Sequence, residues 1–222
     1  MGRQAWERAR RPEQKQQRRE EILAAAADLF DREGIDGTTL SAIARAAGLS
    51  KANLYRYFDS REAILLAVLA EEQAHWLQAV RVRLDALKGS GDIEAVADAI
   101  TEALVANPRV HGLMACVSSV LEHNVGVEAV EHLKRAALLE GLQTTEALHA
   151  ALPQIPREGL MKFVKMYYLF ASAVWPAAHP NEVVSQVLSR PEFQPMCIEL
   201  EDALRQHARL VLRGLAAEAR AD

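Results

Sequence analysis

The side chains best suited to specific hydrogen bonding lie in a short stretch that begins near residue 50. They combine an ammonium, an amide, a phenol and a guanidinium group: Lys51, Asn53, Tyr55 and Arg56. Leu54 and Phe58 are four residues apart, a spacing that places both on one face of a helix. At about 100° per residue, the polar groups lie on the opposite face or at its edges. Such groups pair with base edges in the major groove of DNA, so the pattern favours a DNA-reading helix.

A second helix precedes this one, and a glycine separates them. Apolar residues at helical spacing predict this helix over 40–47, with Thr39 as its N-cap. Gly48 suits the left-handed conformation that ends a helix, and Leu49 would fill the corner from inside. Ser50 can cap the following helix by accepting a backbone N–H. The two segments therefore predict a helix-turn-helix.

Helical periodicity continues through the rest of the chain, without an alternating strand pattern. The pattern from Ser60 to Gly89 is long enough to join two domains. Further helices are predicted over 92–106, 108–123, 126–152, 157–178 and 197–219, and the stretch 176–195 is predicted as a long connection. The sequence therefore predicts an all-α protein.

Residues 15–70 carry joined motifs that together resemble the TetR family of one-component transcriptional regulators. The motifs are an amphipathic first helix, a glycine-threonine turn, both helix-turn-helix segments and the start of a long helix: Ile22, Leu23, Ala26, Leu29 and Phe30, then 34–39, 43–44, 47–50, 54–58 and 60–62. The resemblance implies an N-terminal three-helix helix-turn-helix domain, joined by a long helix to a C-terminal helical ligand-binding and dimerisation domain. We expect a basic, disordered tail at 1–14, the first domain at 15–61 and the second at 62–222.

The resemblance also implies a function, namely a ligand-responsive, sequence-specific DNA-binding regulator. We expect a repressor that a small molecule releases from a pseudo-palindromic operator. By resemblance, the residues that contact base edges are Ser41, Lys51, Asn53 and Tyr55. Those that grip phosphates are Thr39, Tyr57 and Arg61, and Ser50 and Arg56 complete the predicted DNA-binding set.

Two apolar stripes in the C-terminal half have the spacing of packed helices. They are Leu160, Val164, Tyr167, Ala171 and Val174, and Leu200, Leu204, Ala208, Val211 and Leu215. The first helix has a further apolar side with Phe163, Met166 and Phe170. Because the last two helices of each subunit form the dimer interface in the resembled family, we expect a homodimer through these stripes. An ordinary core within one chain would show the same spacing.

The effector is expected among the C-terminal helices, where polarizable and amphipathic side chains suit apolar ligands that form an occasional hydrogen bond. The predicted pocket residues are Trp76, His111, Met114, Cys116, Met161, Tyr168 and Trp175. Side chains of these types at helical spacing more often form ordinary core.

The net charge of −4 hides a basic N-terminus. Residues 1–19 contain seven Lys and Arg against two Glu. This tail either remains solvated or contacts DNA phosphates and a minor groove.

Other functional classes receive little support from the sequence. No membrane-spanning segment or signal peptide is present, and we expect a cytoplasmic protein without membrane contact. Cys116 and Cys197 are far apart in the sequence, and we expect two small buried apolar side chains rather than a disulfide. We find no phosphate-binding glycine loop, nucleophile elbow or local zinc motif, so no enzyme activity, metal or cofactor is predicted. The alternative is a helical protein-interaction module that does not bind DNA.

Overall fold

The computed structural model describes residues 13–221, apart from the side chain of residue 118, and for residues 2–12 it describes the backbone alone. Within this range the chain is α-helical without strands, which confirms the all-α prediction. The helices are α1 (Gly2–Gly37), α2 (Leu40–Ala46), α3 (Lys51–Leu54), α4 (Arg61–Asp85), α5 (Ile93–Val105), α6 (Pro108–Cys116), α7 (Val127–Ala151), α8 (Arg157–Ala178), α9 (Glu182–Leu188) and α10 (Leu200–Ala221). The predicted tail at 1–14 falls almost entirely outside the described side chains and stays a prediction.

The chain forms two compact units. The first contains residues up to Glu71 together with Val117–Glu131, and the second contains Glu72–Cys116 and the residues from His132 onward. α4 therefore belongs to the first unit in its N-terminal part and to the second in its C-terminal part. The predicted domain boundary after residue 61 stays a prediction.

The core of the first unit is built from apolar faces of α1 to α4. Its buried side chains are Ile22, Leu23, Ala26, Leu29, Ile43, Ala44, Leu54, Phe58, Ile64, Leu65 and Val68. The Arg19 guanidinium lies 4.8 Å from the centre of the Phe58 ring, a cation–π contact that joins α1 to the segment after α3. The first unit thus holds the two short helices of the predicted helix-turn-helix against longer ones.

The corner between α1 and α2 is held by Arg61 at the start of α4. α1 is interrupted at Gly34, where φ is 64° and only glycine is unstrained. The Arg61 guanidinium donates to the carbonyl of Ile35 at 3.3 Å and to that of Thr38 at 3.5 Å. Arg61 also donates to the Glu62 carboxylate at 2.8 Å. These bonds tie the entrance of α2 to α4.

Glu62 is buried, with only 5% of its surface exposed. Burial by itself would raise the pKa of Glu62, but hydrogen bonds from Arg61, from its own backbone N–H and from Asn124, together with the Arg61 charge, hold that pKa below its ordinary value. Asn124 follows a π-helical turn at Val117–Leu121. The Arg61–Glu62 pair therefore connects three segments of the first unit.

The core of the second unit is formed by α5, α6, α8 and α10, with α8 packed on both α6 and α10. Three arginines of α10, spaced four apart, pair with two carboxylates of α5. Arg205 and Arg209 donate to Asp98 at 2.9 and 3.0 Å, and Arg209 and Arg213 approach Glu94 at 2.7 and 2.6 Å. These ion pairs join α10 to α5 beside the buried stripe of α10, whose residues are Leu204, Ala208, Leu212 and Ala216.

Several residues of the two predicted dimer stripes are buried within the single chain, and the assignment of these stripes to a dimer interface stays a prediction. Leu160, Tyr167 and Ala171 of α8 and Leu204 and Ala208 of α10 are at most 6% exposed in the single chain. The remaining members of the two stripes are half-buried or buried: Val164, Val174, Leu200, Val211 and Leu215. Helical spacing identifies a packed seam but not whether the partner belongs to the same chain. For the buried members, the packing partners belong to the same chain.

The stretch predicted as a long connection contains α9 and a 3₁₀ helix at Pro191–Met196, neither of which has a buried residue. Val183 and Met196 are exposed apolar residues of this stretch. Cys197 is an exposed free thiol, so the expectation that both cysteines are buried is wrong for Cys197. Across the described residues, no helix is both long and apolar enough to cross a membrane.

Replacing Glu62 with Gln should lower the free energy of unfolding at pH 7, because the charged partner of Arg61 is lost. The folded-state pKa of Glu62 lies below its ordinary value. Its stabilising effect is therefore complete above the ordinary pKa and is lost as the pH falls through the folded-state pKa. The difference between wild type and Glu62→Gln, measured by urea unfolding from pH 7 to pH 3, should shrink at low pH. A difference that stays constant would contradict this account.

The control for this experiment is Glu128→Gln, which removes an exposed carboxylate of α7. It should leave the free energy of unfolding within about 0.5 kcal/mol of wild type at pH 7.

Candidate DNA-binding surface

The turn between α2 and α3 has the geometry that the sequence predicts. Gly48 has a φ of 66°, and the N–H of Leu49 donates to the carbonyl of Ala44 at 2.8 Å. The hydroxyl oxygen of Thr39 caps α2 by accepting from Ala42, and that of Ser50 caps α3 by accepting from Asn53. Both predicted N-caps are confirmed. The glycine and the two caps together end one helix and start the next within a few residues.

α3 contains a single regular helical turn. Turn-type hydrogen bonds continue the coiled backbone beyond its last residue. Tyr57 and Phe58 both donate their N–H to the carbonyl of Leu54, at 2.9 and 3.2 Å. Leu54 is completely buried and Phe58 is 7% exposed. The two side chains predicted to anchor this segment therefore do so, and they determine which of its faces points outward.

The outward face carries the polar side chains from which the DNA prediction started. Lys51, Asn53 and Arg56 are exposed, and half of the Tyr55 surface is accessible. They surround Ala52, whose small side chain leaves the backbone of α3 accessible. A short convex face of this composition fits a major groove sterically and can donate and accept hydrogen bonds at base edges.

The other predicted DNA-binding residues differ in their exposure and in their hydrogen bonds. Thr39, Ser41 and Ser50 are exposed, and Tyr57 is half-buried. Although the oxygens of Thr39 and Ser50 accept backbone N–H groups, their hydroxyl hydrogens can still donate to a phosphate. Arg61 instead directs its guanidinium to Glu62 and to two backbone carbonyls. In the structure it therefore holds the α1–α2 corner against α4. Its predicted phosphate contact stays a prediction.

The structure also forms a groove that the sequence interpretation missed. Its volume is about 660 Å³, and it lies between α1 and the end of the α3 segment. The lining residues are Gln14, Lys15, Gln17, Arg18, Glu21, Arg56 and Tyr57. Arg18 pairs with Glu21 at 2.5 Å, which leaves Lys15 and Arg56 as the lining cations without a carboxylate partner among the contacts described. The basic run at 1–19 was the available signal, but spacing alone does not show which face of α1 lies beside α3.

The predicted pocket residues all lie in the second unit, but not all of them lie together. Trp76, His111 and Met114 are buried, and Cys116, Tyr168 and Trp175 are half-buried. The His111 and Trp175 rings are in contact, with centroids 4.7 Å apart. Met161 is 46% exposed and lies about 21 Å from Trp175 along α8, from the helical rise. Met161 is therefore not part of the same small site.

Two family models match consecutive parts of the chain. Residues 22–68 match the model of bacterial regulatory proteins of the tetR family. Residues 70–219 match the model of the tetracyclin repressor-like C-terminal domain.

Curated relatives are similar over shorter stretches. The HTH-type transcriptional regulator RutR of Escherichia coli is 50% identical over 56 residues, which cover 25% of this chain and 26% of that protein. The HTH-type transcriptional repressor KstR2 of Rhodococcus jostii is 32% identical over 120 residues, which cover 52% of this chain and 56% of that protein. The matched stretches thus span between about a quarter and a little more than half of the length of these relatives.

Solved structures share the fold over most of the chain. Thermus thermophilus FadR, a TetR-family repressor in complex with lauroyl-CoA, superposes with a TM-score of 0.57 and 22% identity, over 89% of this chain and 94% of that one. A TetR-family regulator from Streptomyces coelicolor has a TM-score of 0.54 and 21% identity, over 89% and 99% of the two chains. Because the C-terminal model alone matches more than half of the sequence and the N-terminal model matches the helix-turn-helix, the chain belongs to the tetR family of bacterial regulatory proteins.

Proposed function

We propose that this protein is a ligand-responsive, sequence-specific transcriptional regulator that binds DNA in the cytoplasm as a homodimer and represses until a small molecule releases it. The observation that carries the proposal is the outward face of α3, held by the burial of Leu54 and Phe58. Among similar proteins, one is a named repressor and another, FadR, is a repressor in complex with an acyl-CoA. Both names support repression and small-molecule control.

Base recognition is assigned to the side chains at the centre of the α3 face. Asn53 can form a bidentate pair with adenine, Lys51 can donate to guanine, and Tyr55 and Ser41 can donate or accept. Each good bidentate pair discriminates against the wrong base by about 1–3 kcal/mol.

Phosphate binding is assigned to the periphery of this face. The groups proposed for it are the hydroxyls of Thr39 and Tyr57 and the two cations of the groove, Lys15 and Arg56. Such contacts position the protein on the duplex and supply affinity that decreases with salt, without reading sequence.

A single α3 is too short for useful specificity, so the proposal requires two copies. A twofold dimer presents two α3 faces to successive major-groove sites about 34 Å apart, on a pseudo-palindromic operator.

The dimer surface proposed is the outward side of α8 and α10 rather than the stripes named from the sequence. Met166 and Leu169 of α8 are 46% and 57% exposed, and Leu210 of α10 is 63% exposed. On α10 the same side continues through the small residues Gly214 and Ala217. The exposed apolar side chains and the small residues of α10 would allow the close approach of a second α8–α10 pair.

Ligand control requires only a modest difference in binding energy between two states. A tenfold release of DNA corresponds to about 1.4 kcal/mol of coupling, and a hundredfold release to about twice that. α4 is the proposed route of coupling, because its first residues hold the α1–α2 corner and its later residues belong to the second unit.

The second candidate function is a protein-interaction module without DNA binding. Exposed apolar residues on α7 and α9 favour it, among them Leu138, Leu139, Val183 and Val184. Purified protein that shows no salt-dependent DNA binding would favour this alternative. An enzyme that uses the second unit is the third candidate, and turnover that disappears when residues of the second unit are changed would support it.

Replacing Asn53 with Ala should weaken binding to the selected operator by about 5- to 150-fold, because a bidentate base contact is lost. Binding to a random duplex of equal length should hardly change, since that binding depends on phosphates. The operator is first selected from random DNA, and both affinities are then measured by fluorescence anisotropy. Equal losses on both duplexes would remove Asn53 from base reading.

The matched variant for phosphate binding is Lys15→Ala. It should weaken binding to both duplexes by a similar factor and reduce the slope of log affinity against log salt by about one. A change confined to the operator would argue against the proposed task of the groove.

Replacing Leu169 and Leu210 together with Glu should produce folded monomers, because charges enter the proposed apolar contact. Sedimentation should show half the wild-type mass, the helical circular dichroism should be retained, and operator affinity should fall by about a hundredfold as bivalent binding is lost. Leu138→Glu, a change at an exposed leucine of α7, is the control and should leave the mass unchanged. An unaltered mass in the double variant would place the dimer contact elsewhere.

A further inference from the structure

His111 is a fully buried histidine that lacks one of its two hydrogen-bond partners. It lies on α6, whose residues 110–114 are all buried. Its Nε2 is 2.6 Å from the carbonyl oxygen of Ala171 on α8. A carbonyl can only accept, so Nε2 carries the hydrogen and Nδ1 is left as an acceptor. Nδ1 is buried without a hydrogen-bond partner.

An unpartnered acceptor inside a folded unit requires an explanation, because the desolvation it suffers is not offset. Burial lowers the pKa of His111, so the ring is neutral at pH 7 and does not donate from Nδ1. Only a group that brings its own hydrogen can satisfy this atom. A ligand hydroxyl or N–H group would do so.

Aromatic rings on the last turns of α8 connect the surface to the His111 ring. The exposed ring of His179 stacks on Trp175 with centroids 3.8 Å apart, and Trp175 lies 4.7 Å from His111. Pro176 follows Trp175 inside α8 and has no N–H to donate to the carbonyl of Ser172. The turn that carries Trp175 is therefore bonded less completely than the rest of α8.

The charge of a ligand at this position is limited by its surroundings. The buried polar residues of the second unit, among its described side chains, are Thr101, His111, Thr144 and Thr145. Within that described part, no Asp, Glu, Lys or Arg is buried, so a charged ligand group at Nδ1 would have no buried counter-ion. An uncharged ligand avoids this cost.

We infer that His111 is the polar anchor of the effector site, and that the effector is an uncharged molecule with a planar apolar body and a hydrogen-bond donor directed at Nδ1. The planar body contacts Trp175, and the donor satisfies the buried acceptor. This inference rests on the proposed function for its regulatory meaning, but the binding it describes can be measured without DNA.

The test uses full-length protein and three probes of similar size, namely 4-ethylphenol, 4-ethylanisole and 4-ethylbenzoate. 4-Ethylphenol differs from 4-ethylanisole in having the donor, and 4-ethylbenzoate adds a charge. Titration calorimetry on the wild type should show that 4-ethylphenol binds about fivefold more tightly than 4-ethylanisole, as expected for one net hydrogen bond. 4-Ethylbenzoate should bind more weakly than both.

The variant His111→Gln separates the two ring nitrogens. A Gln amide N–H can replace the donor to Ala171, but Gln offers no acceptor at the position of Nδ1. The fivefold preference should fall to about one, because 4-ethylphenol loses affinity while 4-ethylanisole does not. The matched control is His207→Gln, since the Nε2 of His207 is also buried without a partner, and its ring stacks on Phe170 at 4.0 Å. This control should keep the preference.

Several results would overturn the inference: no preference for 4-ethylphenol in the wild type, an unchanged preference in His111→Gln, tightest binding of 4-ethylbenzoate, or no binding of either uncharged probe. The wild-type comparison needs no variant and therefore does not depend on the folding of His111→Gln. If the inference about His111 is wrong, operator binding by the wild type is unaffected. If the proposed DNA-binding function is wrong, the preference for 4-ethylphenol can still be measured.

Discussion

The DNA-binding surface depends on the burial of Leu54 and Phe58 beneath a helix of one regular turn. A helix this short has no appreciable stability of its own. Its position comes from these two side chains, from the turn at Gly48 and from the core that receives them. The outward direction of Asn53 follows from the same burial, because residues next to a buried position on a helix point away from it. The same few residues thus set both the packing of α3 and the direction of the face proposed to read DNA.

In the second unit, too, helices bury one side in the core and expose apolar residues on the other. α8 buries one stripe against α6 and α10, and it leaves Met166 and Leu169 outside. α10 buries Leu204, Ala208 and Leu212 and pairs Arg209 with Asp98 and Glu94, while Leu210 stays outside. The apolar surface that remains after the unit has completed its own core is the one proposed for packing against a second copy.

Glu62 of the first unit and His111 of the second differ in how completely their buried polar atoms are hydrogen-bonded. Glu62 has hydrogen bonds from Arg61, from its own N–H and from Asn124, and it holds segments of the first unit together. His111 has one partner and one open acceptor. A satisfied buried charge rigidifies its surroundings, whereas an unsatisfied neutral acceptor is stabilised only when something binds to it. This contrast agrees with the proposed division between a unit that keeps its shape and a unit that responds to a ligand.

The sequence by itself determined the helices, the turn at Gly48, the caps and the outward face of α3, because these depend on local spacing and on backbone preferences of single residues. Tertiary structure decided which stripe of α8 is core, since both stripes are apolar and helical spacing does not name a partner. It also decided that α1 and the α3 segment form a groove at Lys15. These depend on which residues distant in sequence approach one another, and that approach is set by the packing of the whole core.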